Sequence, residues 1–145
     1  MNRFTARTTV MALDALWPVG RGLARMLQQS ESIAWAGLAV DTASWREMLI
    51  AVRPEISLID PLGFHTRPSE LVRLTRSVSP ETRIVFFVPT IEEPQVQAWY
   101  DCGAAACITK AMETSLIIDV LHSVYSDVFD RAAFSERASW LSTIG

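Results

Sequence analysis

The segment EISLIDPLGFHTRPSELVRLTRSVSPETRIVFFV, Glu55 to Val88, decides the fold. Its first five residues, Glu55–Ile59, are a short apolar strand that stops at Asp60. Pro61–Thr66 is rich in turn-forming residues and reads as a loop. Pro68–Val78 has Leu71 and Leu74 on one side and a proline in its first turn, which is a helix start. Ser79-Pro80 breaks that helix. Arg83–Val88, RIVFFV, is the most strand-like run in the chain. A strand, a helix and a second strand, each continuous and apolar, make one βαβ unit.

The same unit recurs outward in both directions. Toward the amino terminus, Thr9–Leu13 (TVMAL) reads as a strand ending at Asp14. Trp17–Gln29 carries Val19, Leu23, Met26 and Leu27 at helical spacing, with Pro18 in the first turn. Ile33–Val40 (IAWAGLAV) is a second strand. Asp41 and Thr42 offer caps to a helix over Ala43–Val52, striped by Trp45, Met48, Leu49 and Val52. Toward the carboxyl terminus, Pro94–Cys102 is a short helix stopped by Gly103. Ala105–Thr109 (AACIT) is a fifth strand ending at Lys110. Glu113–Asp127 is a fifth helix, with Leu116, Ile117, Val120, Leu121 and Val124 on one face. Val128–Gly145 has no clear period and reads as a tail or linker, leaving residues 8–127 as the domain.

Strands that are apolar throughout, rather than alternating, are covered on both faces. Five of them alternating with five helices predict a three-layer α/β/α sandwich around a parallel sheet. Ligands of such sheets sit beyond the carboxyl ends of the strands. Those ends hold Asp14, Asp60, Val88 and Lys110. Of the chain's 13 basic residues 12 are arginine, and the one lysine stands at that rim. A lone aspartate after a strand is commonly a turn former. Two carboxylates and the sole ammonium converging on one rim are harder to dismiss.

Composition sets the outer bounds. The chain has 145 residues, 50% of them hydrophobic, enough for one domain with its own core. No apolar run is long enough for a membrane span, and no signal-peptide pattern opens the chain. A net charge of −3 argues against nucleic-acid binding by this chain. Cys102 and Cys107 are too few for a disulfide framework or a zinc site. The expected setting is a reduced cytoplasm. His65 and His122 are read as surface or loop residues, and no nucleophile–base pair stands out; Ser57 lies inside a strand.

The alternation, Asp14, RPEISLID ending at Asp60, and GAAACITK ending at Lys110 together resemble the receiver domains of bacterial response regulators. The branch is the NarL/FixJ (LuxR-type) one, over about residues 8 to 126. The resemblance implies a flavodoxin-like, CheY-like (βα)5 fold with strand order 2-1-3-4-5. It implies that Asp60 is the phosphoacceptor for a histidine kinase. Asp14 and Asp60, with the Leu62 carbonyl, would hold Mg²⁺, and Lys110 would contact the phosphoryl oxygens.

This chain departs from the family pattern at several points. The second acidic residue after the first strand is Ala15. The hydroxyl position at the end of the fourth strand is Val88. The aromatic switch of the fifth strand is Cys107. The loop's usual proline and glycine positions hold Phe64 and Pro68. Losing a carboxylate at residue 15 predicts weak Mg²⁺ binding. Losing the hydroxyl at residue 88 forfeits a hydrogen bond to a charged acceptor, worth roughly 1.5–3 kcal/mol. Thr90 could replace it only through a rearranged loop.

The expectation is therefore a degenerate receiver, with Asp60 and Lys110 persisting as an ion pair. It would act as a regulatory interaction module in two-component-type signalling or transcriptional control, not as an enzyme. A phosphohydrolase on this frame would lack acid/base and metal residues. The alternative is a working phosphoacceptor. The resemblance further implies homodimerisation and a DNA-binding output domain outside this chain. A small ligand in a pocket made more apolar by Ala15, Val88 and Phe64 is a further candidate partner. Trp99 and Tyr100 are adjacent on one helix and cannot both face the core. They are the interface candidates, Trp99 reading toward the core and Tyr100 toward the surface.

Overall fold

The computed structural model describes residues 7–126 and 129–130. The expectation for the tail falls outside the described residues except at Phe129 and Asp130. Five strands and five helices alternate: β1 (Thr8–Leu13), α1 (Trp17–Gln28), β2 (Ile33–Ala39), α2 (Thr42–Val52), β3 (Ile56–Ile59), α3 (Pro68–Val78), β4 (Arg83–Val88), α4 (Glu93–Cys102), β5 (Ala106–Thr109) and α5 (Thr114–Tyr125). All neighbouring strands are parallel, in the order β2-β1-β3-β4-β5. The expected sandwich, strand order and element boundaries hold to within one or two residues.

The core divides into two halves, one on each face of the sheet. Strand side chains alternate between them, as a period of two requires. Val10, Ala12, Leu58, Val85 and Ile108 pack with Leu23 and Leu27 of α1 and with Ile117 and Leu121 of α5. Met11, Leu13, Ile59, Phe86 and Val88 pack with Trp45 and Leu49 of α2, Leu71 and Val72 of α3, and Val96 and Trp99 of α4. Each fully buried side chain of this size contributes roughly 1.5–3 kcal/mol. The helical stripes are narrower than the sequence suggests. Met26 and Val52 are exposed at the ends of theirs, and Leu74 is only half-buried beside the buried Thr75.

Caps and polar ties fix the helices on this frame. The Asp41 carboxylate accepts from the Ser44 N–H at 2.7 Å and caps α2. The other end of α2 stops at Arg53, whose φ of 49° is left-handed, a conformation that favours glycine. Gly103, at φ 119°, ends α4 as expected. In the core, the Trp45 Nε1–H donates to Ser57 Oγ at 3.0 Å, and both residues are fully buried. This bond pins α2 to the middle of β3.

Of the two interface candidates, Trp99 is the one read toward the core, and it packs there: it is 5% exposed, with its ring 4.9 Å from that of Phe86. One expectation about a single residue needs correction: His122 is not a free surface residue. Its Nε2 lies 2.8 Å from Ser32 Oγ and its Nδ1 3.3 Å from Thr8 Oγ1, while Ser32 Oγ meets Ser30 Oγ at 2.8 Å. The imidazole thus ties α5 to the amino-terminal ends of β1 and β2.

Two stability outcomes follow. Ser57→Ala leaves the buried Trp45 N–H without an acceptor and should cost about 1–3 kcal/mol in denaturant unfolding. Arg53→Gly should instead raise stability, by up to about 1 kcal/mol, because glycine adopts the left-handed cap without a Cβ penalty. An unchanged midpoint in the first variant, or a lowered one in the second, would contradict these assignments.

Candidate functional site

Parallel pairing delivers the rim residues to one place. The Asp14 N–H donates to Ala39 O at 3.0 Å, Asp60 N–H to Leu13 O at 2.9 Å, and Lys110 N–H to Val88 O at 2.8 Å. Each residue therefore continues its strand's ladder by one step before the chain turns away. Asp14 and Asp60 lie on adjacent strands. Lys110 lies on β5, separated from β3 by β4, so two interstrand spacings of about 4.8 Å must be crossed. A lysine side chain is long enough to do so. Nζ passes 5.9 Å from the centroid of the Phe87 ring on the way, within the range of a cation–π attraction.

The ammonium ends between the two carboxylates. Lys110 Nζ donates to Asp60 Oδ2 at 2.6 Å and to Asp14 Oδ2 at 2.7 Å. The remaining oxygens are also taken. Asp14 Oδ1 accepts from the Leu16 N–H and Asp60 Oδ1 from the Leu62 N–H, both at 2.9 Å. Each aspartate thus closes a turn onto the residue two positions on and keeps its second oxygen for the lysine. The two aspartate side chains are 4% exposed and the lysine's 14%. Burial alone would lower the Lys110 pKa, but hydrogen bonds and charge from Asp14 and Asp60 outweigh it and hold the pKa above its ordinary value.

The departures from the family pattern lie around this triad. Val88 is buried at the end of β4 and offers no donor. Thr90 is exposed in the following loop. Ala15 lies under the β3–α3 loop. A Cβ added to Gly63, whose φ is 89°, would stand 3.0 Å from the Ala15 Cβ. The loop passes close to Ala15, and only glycine meets both the left-handed φ and the close approach at residue 63. Leu16 and Leu62 extend outward and are 61% and 53% exposed. Phe64 turns inward and packs against the α2–α4 half of the core.

A magnesium ion does not fit this donor set as it stands. Among the described residues two carboxylates face the site, and the oxygens turned toward each other are held by an ammonium. No group of three or more His, Cys, Asp or Glu among the described residues could hold a metal. Mg²⁺ demands near-octahedral oxygen coordination, so Lys110 would have to withdraw first.

At the fifth-strand position Cys107 is buried. The Tyr100 hydroxyl, on α4, accepts from the Cys107 N–H at 3.1 Å. Tyr100 is thus half-buried and bonded to β5, where a surface aromatic was expected. Sequence reading had no route to this bond, because it joins a helix side chain to a strand backbone.

Removing the ammonium should expose how much it holds together. Lys110→Met leaves two buried carboxylates facing each other and should cost about 3–5 kcal/mol; adding Asp14→Asn should recover part of the loss. The pH dependence has a definite sign. A raised lysine pKa gives stability that is complete below 10.5 and is lost as pH rises through the higher folded value. The unfolding midpoint of the wild type should therefore fall in alkali more steeply than that of Lys110→Met. Parallel curves would show that Lys110 carries no such linkage.

No protein-family model and no curated protein matches the chain. Solved structures do. The signal receiver domain of the response regulator NarL from Mycobacterium tuberculosis superposes with a TM-score of 0.76 at 22% identity, over 83% of this chain and 98% of that one. A LuxR-family two-component response regulator from Aurantimonas sp. SI85-9A1 gives 0.76 at 18% identity, over 92% and 99%. A Burkholderia pseudomallei response regulator, solved with a phosphorylated aspartic acid, calcium ion and citrate, gives 0.70 at 17% identity, over 83% and 70%. At these identities the likeness is one of fold. With its parallel order β2-β1-β3-β4-β5 and four helical crossovers, the chain has the CheY-like fold of response-regulator receiver domains.

Proposed function

We propose that this chain is a receiver-fold regulatory module of the two-component type that works by protein–protein contact and independently of phosphorylation. The observation that carries the reading is the bridge from Lys110 Nζ to Asp14 Oδ2 and Asp60 Oδ2, with both Oδ1 atoms on backbone N–H groups. Phosphoryl transfer to a carboxylate depends on positioning and on neutralising charge. Here the positive charge is supplied from within the chain, and the acceptor oxygen is already spent on it.

The means of transmitting occupancy is reduced as well. A two-state element flips cleanly only when the ligand favours one state by several kcal/mol. Val88 cannot hydrogen-bond a phosphoryl oxygen. Cys107 has no ring to swing, and Tyr100 reaches its backbone from α4. Output would then depend on which partner is present and on how much of this chain is made. Phosphohydrolase chemistry is disfavoured for want of further acid/base residues around the triad among the described residues.

A working phosphoacceptor is the second reading. Asp60 stands at the carboxyl end of β3, at the rim where such sheets react, and the Burkholderia protein of the same fold was solved with a phosphorylated aspartic acid. Beryllofluoride with Mg²⁺ separates the two. The proposed module should show no change in amide-exchange protection of the β4–α4 and β5–α5 segments and no change in oligomeric state. A response that disappears in Asp60→Asn would establish the phosphoacceptor instead.

A further inference from the structure

The rim opposite the acid triad, where the parallel strands begin, carries a concave region of its own. A depression of about 470 Å³ lies among the ends of α2 and α5 and the start of β4, within the size range of small-molecule sites. Among the described residues its walls include Arg53, Glu55, Pro80, Thr82, Arg83 and Tyr125. A smaller depression of about 180 Å³ shares Pro80, Thr82 and Arg83 and adds Arg76. Three arginines therefore line this stretch of the rim in a chain whose net charge is −3.

Arg53 is the residue the fold does not ask for. It holds the left-handed position after α2 at φ 49°, where glycine would sit without strain. Backbone strain of this kind collects at functional sites. The side chain is exposed and forms no ion pair among the described residues. Its polar neighbours are already engaged. Thr82 Oγ1 donates to Pro54 O at 2.6 Å, and Glu55 Oε2 accepts from the Thr9 N–H at 2.6 Å. Pro80 is exposed and Tyr125 is 38% exposed, so an apolar wall stands beside the guanidinium. We propose that this depression binds a small organic anion. Arg53 takes its carboxylate or phosphoryl head, through the paired donors that a guanidinium offers, and its flat apolar body lies against Pro80 and Tyr125.

The site does not rest on the proposed function, since it lies at the other end of the strands from Asp60. Thermal unfolding of the full chain, titrated at constant ionic strength, tests it. Phenyl phosphate and benzoate are the probes, one for each head group, with inorganic phosphate, acetate and chloride as controls. At least one aromatic probe should raise the midpoint saturably, and the one that does so identifies the head group. Arg53→Gln should weaken binding about tenfold or more, as the loss of a hydrogen bond to a charged group does. Tyr125→Ala should weaken it too, and Glu81→Gln, which removes a like charge from the same wall, should tighten it. Arg53→Gly is the sharpest variant: it should melt higher than the wild type without probe and fail to respond to it. Arg67→Gln, at the opposite rim, should respond as the wild type does, and circular dichroism checks the fold of each variant. A midpoint unmoved by both aromatic probes, or raised as much by the controls, would overturn the proposal. So would an undiminished response in Arg53→Gln or Arg53→Gly, which would leave Arg53 only offsetting the carbonyl end of α2. None of these readouts involves the response to beryllofluoride, so this proposal and the proposed function fail separately.

Discussion

The rim of the sheet depends on one cation held between two buried carboxylates. Asp14, Asp60 and Lys110 come from β1, β3 and β5, and the ammonium joins the ends of all three. Two aspartates this close would repel each other in a medium of low dielectric. Lysine offsets that repulsion and leaves a single net negative charge. The carboxylate oxygens turned away from the ammonium are not idle; each closes a turn that sets the direction in which the chain leaves its strand. The loops around the site are therefore shaped by the same charges that define it.

Much of this was legible in the sequence, for identifiable reasons. Strands such as RIVFFV, apolar on both faces, can only be the inner layer of a sandwich. Ser79-Pro80 and Gly103 punctuate their helices by backbone chemistry alone. Asp14, Asp60 and Lys110 were found because they stand where the apolar runs stop, and the lysine because no other exists. What escaped was whatever depends on the angle at which a helix lies on the sheet. Trp99 and Tyr100 are neighbours in sequence, and periodicity separates their directions. It does not tell that one ring packs on Phe86 and that the other reaches the backbone of β5. The Trp45–Ser57 and His122–Ser32 bonds likewise join residues 12 and 90 positions apart, with no local pattern to announce them.

The small residues at the rim acquire a reason in three dimensions. Ala15 and Gly63 differ from a fuller acidic pocket in what they lack, and they face each other. The β3–α3 loop passes so close to residue 15 that a Cβ on Gly63 would stand 3.0 Å from that of Ala15. A side chain at residue 63 would therefore press on Ala15, and the left-handed φ of 89° at Gly63 adds to that constraint.

The phenol of Tyr100 has a bearing on how this protein behaves in a crowded solution. β5 is an outermost strand, and an outermost strand presents backbone donors to which a foreign strand can add, the first step toward fibrous growth. At Cys107 that donor is already bonded to the tyrosine oxygen, while the ring lies beside the strand. An incoming chain would find its hydrogen bond taken at the middle of a strand only four residues long. A side chain that looked like an invitation to a partner instead closes the sheet to unwanted ones.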